Sequence, residues 1–329
     1  MIGIIVLLRP GHVEAVSLPP DVDAWHPIES DQYGEGWYFD AEFTNGYFFS
    51  GSIMIFGNIS NDAVVQVKFM ISPPDRDSVL VFQSYSMEDF QASQNECNVS
   101  VGNNRVSGVW PYYSLFLSNG TVAVGLSYVA KVEGWKGGSI KGYSWIVPVP
   151  RAYVSGQIII GEDSIYVKGE GYHDHILEDG SLKGVYGWYW GRIFDGKFTI
   201  VWSQIMLSRE APLVGLGMIA DGEEVIGDSM NLQLLPRKYI YDNSTQTYIP
   251  VTYELRCTTL ESFGYPVWLH LKMRLSEQGI LIGMRDNYFQ KNCTLYRLRI
   301  QTDGILRMGP SPARIESIGM MEFMKFRQT

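Results

Sequence analysis

The feature that most constrains this chain is the near absence of helical periodicity. From Trp37 onward, short alternating runs rich in β-branched and aromatic residues follow one another. Residues 37–43, 47–56, 64–71 and 79–85 read as successive strands, and 106–110, 113–117, 122–132, 153–160 and 164–169 continue the series. Only 87–93 has the spacing of a helical turn. Asn45-Gly46, Asn119-Gly120, Asp179-Gly180, Asp195-Gly196, Asp221-Gly222 and Asp303-Gly304 each put glycine where a hairpin needs positive φ. The clearest hairpin joins 185–193 to 197–207 through Asp195-Gly196. Many short antiparallel strands predict an all-β protein of sandwiches or up-and-down barrels. No βαβ unit or Gly-rich phosphate loop offers a nucleotide a seat, and no cofactor is expected.

A length of 329 residues suggests two domains. The polar stretch 177–184 is the expected break. It leaves an N-terminal segment 1–31 across the surface, a first domain 32–183 and a second 184–329. Pro148 and Pro150 disfavour a central strand at their position. The net charge of -9 and the lack of any Lys/Arg cluster argue against nucleic acid as a partner. Cys97, Cys257 and Cys293 have no metal-ligand spacing; Cys257 and Cys293 form one disulfide, or all three are small buried hydrophobes.

The apolar run 1–8 is too short to span a bilayer, and no integral span is expected elsewhere. It reads as the core of a clipped secretory signal with Val13-Glu14-Ala15 as a loose cleavage site, although a basic leading region is missing. Asn58, Asn98, Asn119, Asn243 and Asn292 each begin an Asn-X-Ser/Thr sequon. They favour a secreted or extracytoplasmic setting, with a cytoplasmic one as the alternative and peripheral membrane contact left open. The oligomeric state is not legible.

Three clusters carry chemistry-bearing residues. In Gly169-Glu170-Gly171-Tyr172-His173-Asp174-His175, an extended backbone puts His173 and His175 on one face and Asp174 on the other. Such a group can move protons, brace a junction, or bind a metal if a distant strand adds a third ligand; none is obvious, and no metal is assigned. In Gly187-Trp188-Tyr189-Trp190-Gly191-Arg192, Trp188 and Trp190 share a face as core or as a ring wall, and Arg192 stacks on rings or pairs with a carboxylate such as Asp174. In Glu35-Gly36-Trp37-Tyr38-Phe39-Asp40, the acids read as solvated and Trp37 and Phe39 as core.

Taken in order, these clusters resemble the carotenoid 1,2-hydratase (hydroxyneurosporene synthase) family. That family is similar to AttH-like proteins and to fungal lipocalin-like Diels-Alderases. The match covers Gly169–His175 in full, Trp188, Trp190, Gly191 and Arg192, and the front signature through Glu35, Trp37 and Tyr38. The resemblance implies two packed lipocalin-like antiparallel β-barrel domains with a ligand cavity in or between them. Gly36 replaces a family tryptophan, and Ile176-Leu177-Glu178 replaces Asn-Trp-Gly. If those positions shape the pocket, the ligand differs from a carotenoid.

The function expected on this basis is a cofactor-free hydratase or cyclase (a hydro-lyase) protonating an apolar isoprenoid or polyene. Asp174 would be the acid, His173 and His175 its orienting partners, and Tyr38, Trp37, Tyr172, Trp188, Trp190 and Arg192 the ligand-binding set. A pericyclase-like protein acting by confinement and a non-catalytic carrier of an apolar lipid are the alternatives. The choice turns on whether Asp174 faces a hollow or sealed packing.

Overall fold

The computed structural model describes residues 18–140, 142–179, 185–206, 214–229, 232–262, 265–288 and 291–326. The signal-like run 1–8 and Gly180 of one expected turn lie outside them.

The first sheet contains β1 (Tyr33–Phe43), β2 (Phe48–Phe56), β3 (Val64–Ser72), β4 (Val79–Ser86), β5 (Phe90–Ala92), β6 (Cys97–Val101), β7 (Asn104–Val109), β8 (Tyr112–Ser118), β9 (Val122–Ala130), β10 (Trp135–Ile140), β11 (Tyr143–Ile160) and β12 (Asp163–Asp179). Its order is β4-β3-β2-β1-β12-β11-β9-β8-β7-β6-β5, with β10 also paired to β11. The two ends of this path, β4 and β5, are neighbours in sequence, so the sheet curls into a nearly closed barrel. The connection between them is a short 3-10 turn, Met87–Asp89, and the following residues form β5; the helical spacing of 87–93 was too short to compete with strand pairing.

The second sheet contains β13 (Gly187–Asp195), β14 (Phe198–Met206), β15 (Val214–Asp221), β16 (Glu224–Ser229) and β17 (Gln233–Pro236). A separate hairpin of β18 (Tyr239–Asp242) and β19 (Thr247–Pro250) follows, and then β20 (Thr252–Ser262), β21 (Tyr265–Tyr288), β22 (Lys291–Met308) and β23 (Ser311–Phe326) complete the sheet. The order β16-β15-β14-β13-β23-β22-β21-β20-β17 makes a half-barrel. The fold is all-β, as the strand pattern predicts, with no α-helix among the described residues.

Turn chemistry places most of these strands. Gly196 has φ +54 and closes the β13–β14 hairpin, which zips from Asp195 opposite Phe198 to Gly187 opposite Met206. Gly304, in contrast, lies inside β22 between Leu271 and Ile315 and turns nothing. A Cβ there would meet the His270 carbonyl oxygen at 2.2 Å, so the glycine serves close strand approach. The prolines also run against expectation. β11 passes through Pro148 and Pro150, because its register with β12 breaks on either side of Val149 and a missing N–H costs no ladder bond there.

Each sheet has its own apolar core. Trp37, Phe39, Val65, Val67, Leu115 and Val124 are among the side chains filling the barrel; Ile200, Trp202, Leu255, Leu271, Ile300 and Phe323 are among those filling the half-barrel. Fully burying one such side chain contributes roughly 1.5–3 kcal/mol. A third cluster draws on both sheets, with Trp135, Trp145, Val147 and Tyr172 from the first and Trp190, Val201, Leu216 and Met218 from the second. This layer joins the barrel's outer face to the half-barrel.

The opening segment does not simply cross the surface. Its 3-10 turn Pro20–Asp23 buries Asp23 and Ala24, and the Asp23 carbonyl accepts a 3.0 Å hydrogen bond from Trp37 Nε1. No disulfide links Cys257 and Cys293; all three cysteines are buried thiols. No described helix is long and apolar enough to cross a membrane.

Candidate functional site

The register of β1 with β12 builds the site. Trp37 lies opposite His175, Tyr38 opposite Asp174 and Phe39 opposite His173. Side chains alternate across a strand, so the two imidazoles point into the barrel while Asp174 and Tyr38 point toward the second sheet. The sequence motif thereby splits into two sites with different chemistry.

Inside the barrel, His173 stacks flat on Phe39, with ring centroids 3.9 Å apart. Its Nδ1 donates to the Tyr38 carbonyl at 2.9 Å, and its Nε2 lies 3.0 Å from Asp23 Oδ2. His175 stacks on Trp37 at 4.8 Å and places Nε2 2.8 Å from Glu35 Oε1 and Nδ1 3.2 Å from Asp23 Oδ1. Burial opposes the charge on His175, but Asp23 and Glu35 outweigh it and raise the imidazole to about 9. Burial likewise opposes the Asp23 charge, yet the two imidazoles hold its carboxyl well below the usual range. Glu35 also accepts from Tyr33 OH and the His26 backbone. The acids expected to be solvated are therefore buried: Glu35 in this network, and Asp40 against Arg192.

Two groups here bring donor atoms within 4.8 Å of one another: Asp23 with Cys97 and His173, and His26 with Glu35 and His175. Third ligand types thus do come from distant parts of the chain, a convergence the sequence did not reveal. Several of the acid–imidazole separations, at 2.8–3.2 Å, are hydrogen-bond lengths. Ligands spread tetrahedrally around zinc sit roughly 3.3 Å or more apart. The arrangement fits ion pairs that seat the opening segment in the barrel.

Asp174 occupies the opposite face. It lines a cavity between the sheets of about 950 Å³, counting the part open to solvent. Rings of Tyr38, Tyr143, Trp145, Trp188 and Trp190 wall it; Met54, Ile282, Leu295 and Met324 add aliphatic surface; Arg297 and Glu322 add charge. Asp174 Oδ2 accepts from Trp145 Nε1 at 3.0 Å and from Tyr172 OH at 2.9 Å. Burial pushes the carboxyl up to about 7, against these two donors and the charge of His173, which pull it down; Glu322 adds to the rise. A carboxyl raised into the neutral range thus faces a ring-lined hollow.

The other expected site residues divide. Tyr38, Trp188 and Trp190 line the cavity. Tyr172 sits behind it, as the hydroxyl that orients Asp174. Trp37 is barrel core on His175 and does not reach the cavity. Arg192 pairs with Asp40, not Asp174, and stacks 4.5 Å from the Phe194 ring rather than on the tryptophans. Its strand position, between Gly191 and Ile193, aims it at β1 two residues beyond the cavity. It braces the two sheets, helped by Arg299 on Glu42 and by Arg151, which reaches the Gly196 carbonyl at 2.9 Å.

Trp145, Tyr143, Arg297 and Glu322 escaped the sequence reading. Glu322 had one available signal, a lone acid within the apolar run Met320-Met321-Glu322-Phe323-Met324. Gly36 and Ile176 both line the cavity, whereas Leu177 and Glu178, the rest of the second departure from the motif, do not.

The sequence matches no protein-family model and no curated protein. Solved structures do share the fold. A putative AttH from Nitrosomonas europaea superposes with TM-score 0.66 at 13% identity, over 96% of this chain and 98% of that one. CghA gives 0.67 at 11%, over 94% and 93%, and kievitone hydratase from Nectria haematococca 0.61 at 12%, over 94% and 96%. CghA has also been crystallised with Sch210972. The lipocalin-like architecture implied by the motifs is the one observed.

Proposed function

We propose that this protein is a cofactor-free acid catalyst that protonates an alkene in an apolar, isoprenoid-like or polyene guest held between its two sheets. One observation carries the reading: Asp174, a carboxyl that burial raises to about 7, lines a cavity walled by aromatic rings. Protonating an isolated alkene needs an acid positioned against carbon and a surrounding that tolerates the cation formed. Burial supplies the protonated acid. The ring faces of Tyr38, Trp145, Trp188 and Trp190 supply negative quadrupole. Trp145 and Tyr172 both bind Oδ2, which fixes the carboxyl plane and favours a proton on the other oxygen.

A shared fold with kievitone hydratase supports addition of water as the reaction. Neither histidine touches the cavity. They act through the strand, as anchors that hold Asp174 at its depth.

The test is Asp174→Asn, scored in deuterated water on a dimethylallyl phenol. The wild type transfers solvent deuterium to the guest, whereas the variant binds the phenol but transfers none. Equal transfer by the variant removes Asp174 as the acid. Binding with no transfer by the wild type leaves a carrier of apolar molecules.

A further inference from the structure

The cavity holds a second carboxyl. Asp174 comes from β12 of the first sheet and Glu322 from β23 of the second, so a guest lying between the sheets meets one on each side. Glu322 is rigidly placed. Its Oε1 accepts from Trp188 Nε1 at 3.0 Å, and its Oε2 accepts from Arg297 Nε at 3.3 Å. Arg297 is itself held by Ser50 Oγ, to which Nη1 donates at 2.6 Å, and lies 5.5 Å from the Tyr38 ring centroid. Each Glu322 oxygen retains a lone pair beyond these bonds.

We propose that Glu322 is the proton acceptor paired with Asp174, and that the two together add water across the guest's double bond. This rests on the reading of Asp174 as the donor. The Asp174 O–H bond breaks as a C–H bond forms on one alkene carbon, leaving a cation on the other. A water oxygen then forms the C–O bond, one water O–H breaks, and that proton passes to Glu322. Solvent at the cavity mouth returns it to Asp174, so the net change is addition of H and OH. Water attacking a carbocation becomes strongly acidic, and a carboxylate already paired with an arginine is basic enough to take its proton. Until then the negative charge of Glu322 stabilises the cation.

The ionisable groups facing Asp174 are Tyr38 of β1, Lys68 of β3, Tyr143 of β11, Tyr172 of its own strand, Arg297 of β22 and Glu322, while His173 acts on it from the other face of the strand. Of these, Glu322 is the one removed from the cavity's charge balance by Glu322→Gln, which keeps the side-chain shape.

Two measurements test the pairing. The first follows incorporation of heavy-oxygen water into a dimethylallyl phenol. Glu322→Gln loses about 100-fold in turnover with KM unchanged, and Glu322→Asp recovers part of it. A fully active Glu322→Gln beside an inert Asp174→Asn overturns the acceptor role and leaves the donor standing; an active Asp174→Asn overturns the donor reading instead. The second needs no guest. The infrared carbonyl band of the protonated Asp174 is titrated in both proteins, and its midpoint falls in Glu322→Gln because a nearby negative charge is gone. An unmoved midpoint means the two carboxyls do not share a site, and the pairing fails.

Discussion

Gly36 and Ile176 stand directly opposite one another on β1 and β12, and both line the cavity. A Cβ on Gly36 would come within 2.8 Å of Met54 Cε, the flexible end of a side chain. Gly36→Ala should therefore be accommodated by a shift of Met54, with a cost below about 1.5 kcal/mol. Gly36→Trp places an indole where the guest would lie. Retinol, used as a fluorescent polyene probe, should bind the tryptophan variant at least about tenfold more weakly, a loss near 1.4 kcal/mol. Fluorescence titration of the two variants checks both statements.

The donors on Asp174 set its acidity. Trp145 and Tyr172 favour the charged form, against the larger effect of burial. Tyr172→Phe removes one of them, so the carboxyl should rise further above about 7, by roughly one unit. The descending limb of the pH–rate profile should move to higher pH by the same amount. An unshifted limb would mean that another group governs it.

Stability should fall as pH rises from mild acid, for two reasons. His175 rises from 6.5 to about 9 in the fold, so its ion pairs contribute fully below pH 6.5 and are lost as pH climbs through 9. Asp174 rises from 3.8 to about 7, so the stability tied to its protonated form is fully present below pH 3.8 and is lost as pH climbs from there through about 7. Asp23 works in the opposite direction: its carboxyl is lowered, so its contribution is present above pH 3.8 and lost in stronger acid. Thermal melts should show greatest stability in mildly acidic buffer. Asp174→Asn should flatten the loss between pH 3.8 and about 7 and melt higher than the wild type at pH 8, while His175→Gln should flatten the loss between pH 6.5 and about 9.

Arg192 and Asp40 are both buried and tie the half-barrel to the barrel. Burial raises the Asp40 carboxyl, and Arg192 partly offsets it. Arg192→Met leaves that acid without its guanidinium and should cost about 3–5 kcal/mol in urea unfolding. Adding Asp40→Leu should recover most of it, since two apolar groups then meet where one unpaired charge stood. A double variant no better than the single one would place the loss in packing rather than charge.

Several features were legible because they are local. Alternation in β1 and β12 gives a strand its faces without reference to any neighbour, so the opposed directions of Asp174 and the two histidines followed from spacing alone. The turn at Asp195-Gly196 and the long hairpin around it were equally visible. Gly304 was misread for the same reason: a glycine needed for positive φ and one needed for close strand contact look identical in sequence. Pro148 and Pro150 were misread because a register break is a property of two strands.

The sequence by itself determined the all-β architecture and the motif that holds Asp174, since period-two patterning and turn residues act over a few positions. Tertiary structure alone decided what each charge meets. Glu322 and Asp174 are 148 positions apart in the chain and share one hollow; Asp23, a surface-looking residue in a polar lead-in, became the counter-ion of both histidines. Electrostatic partners are chosen by distance in space and by the loss of water around them, and neither is written along the chain.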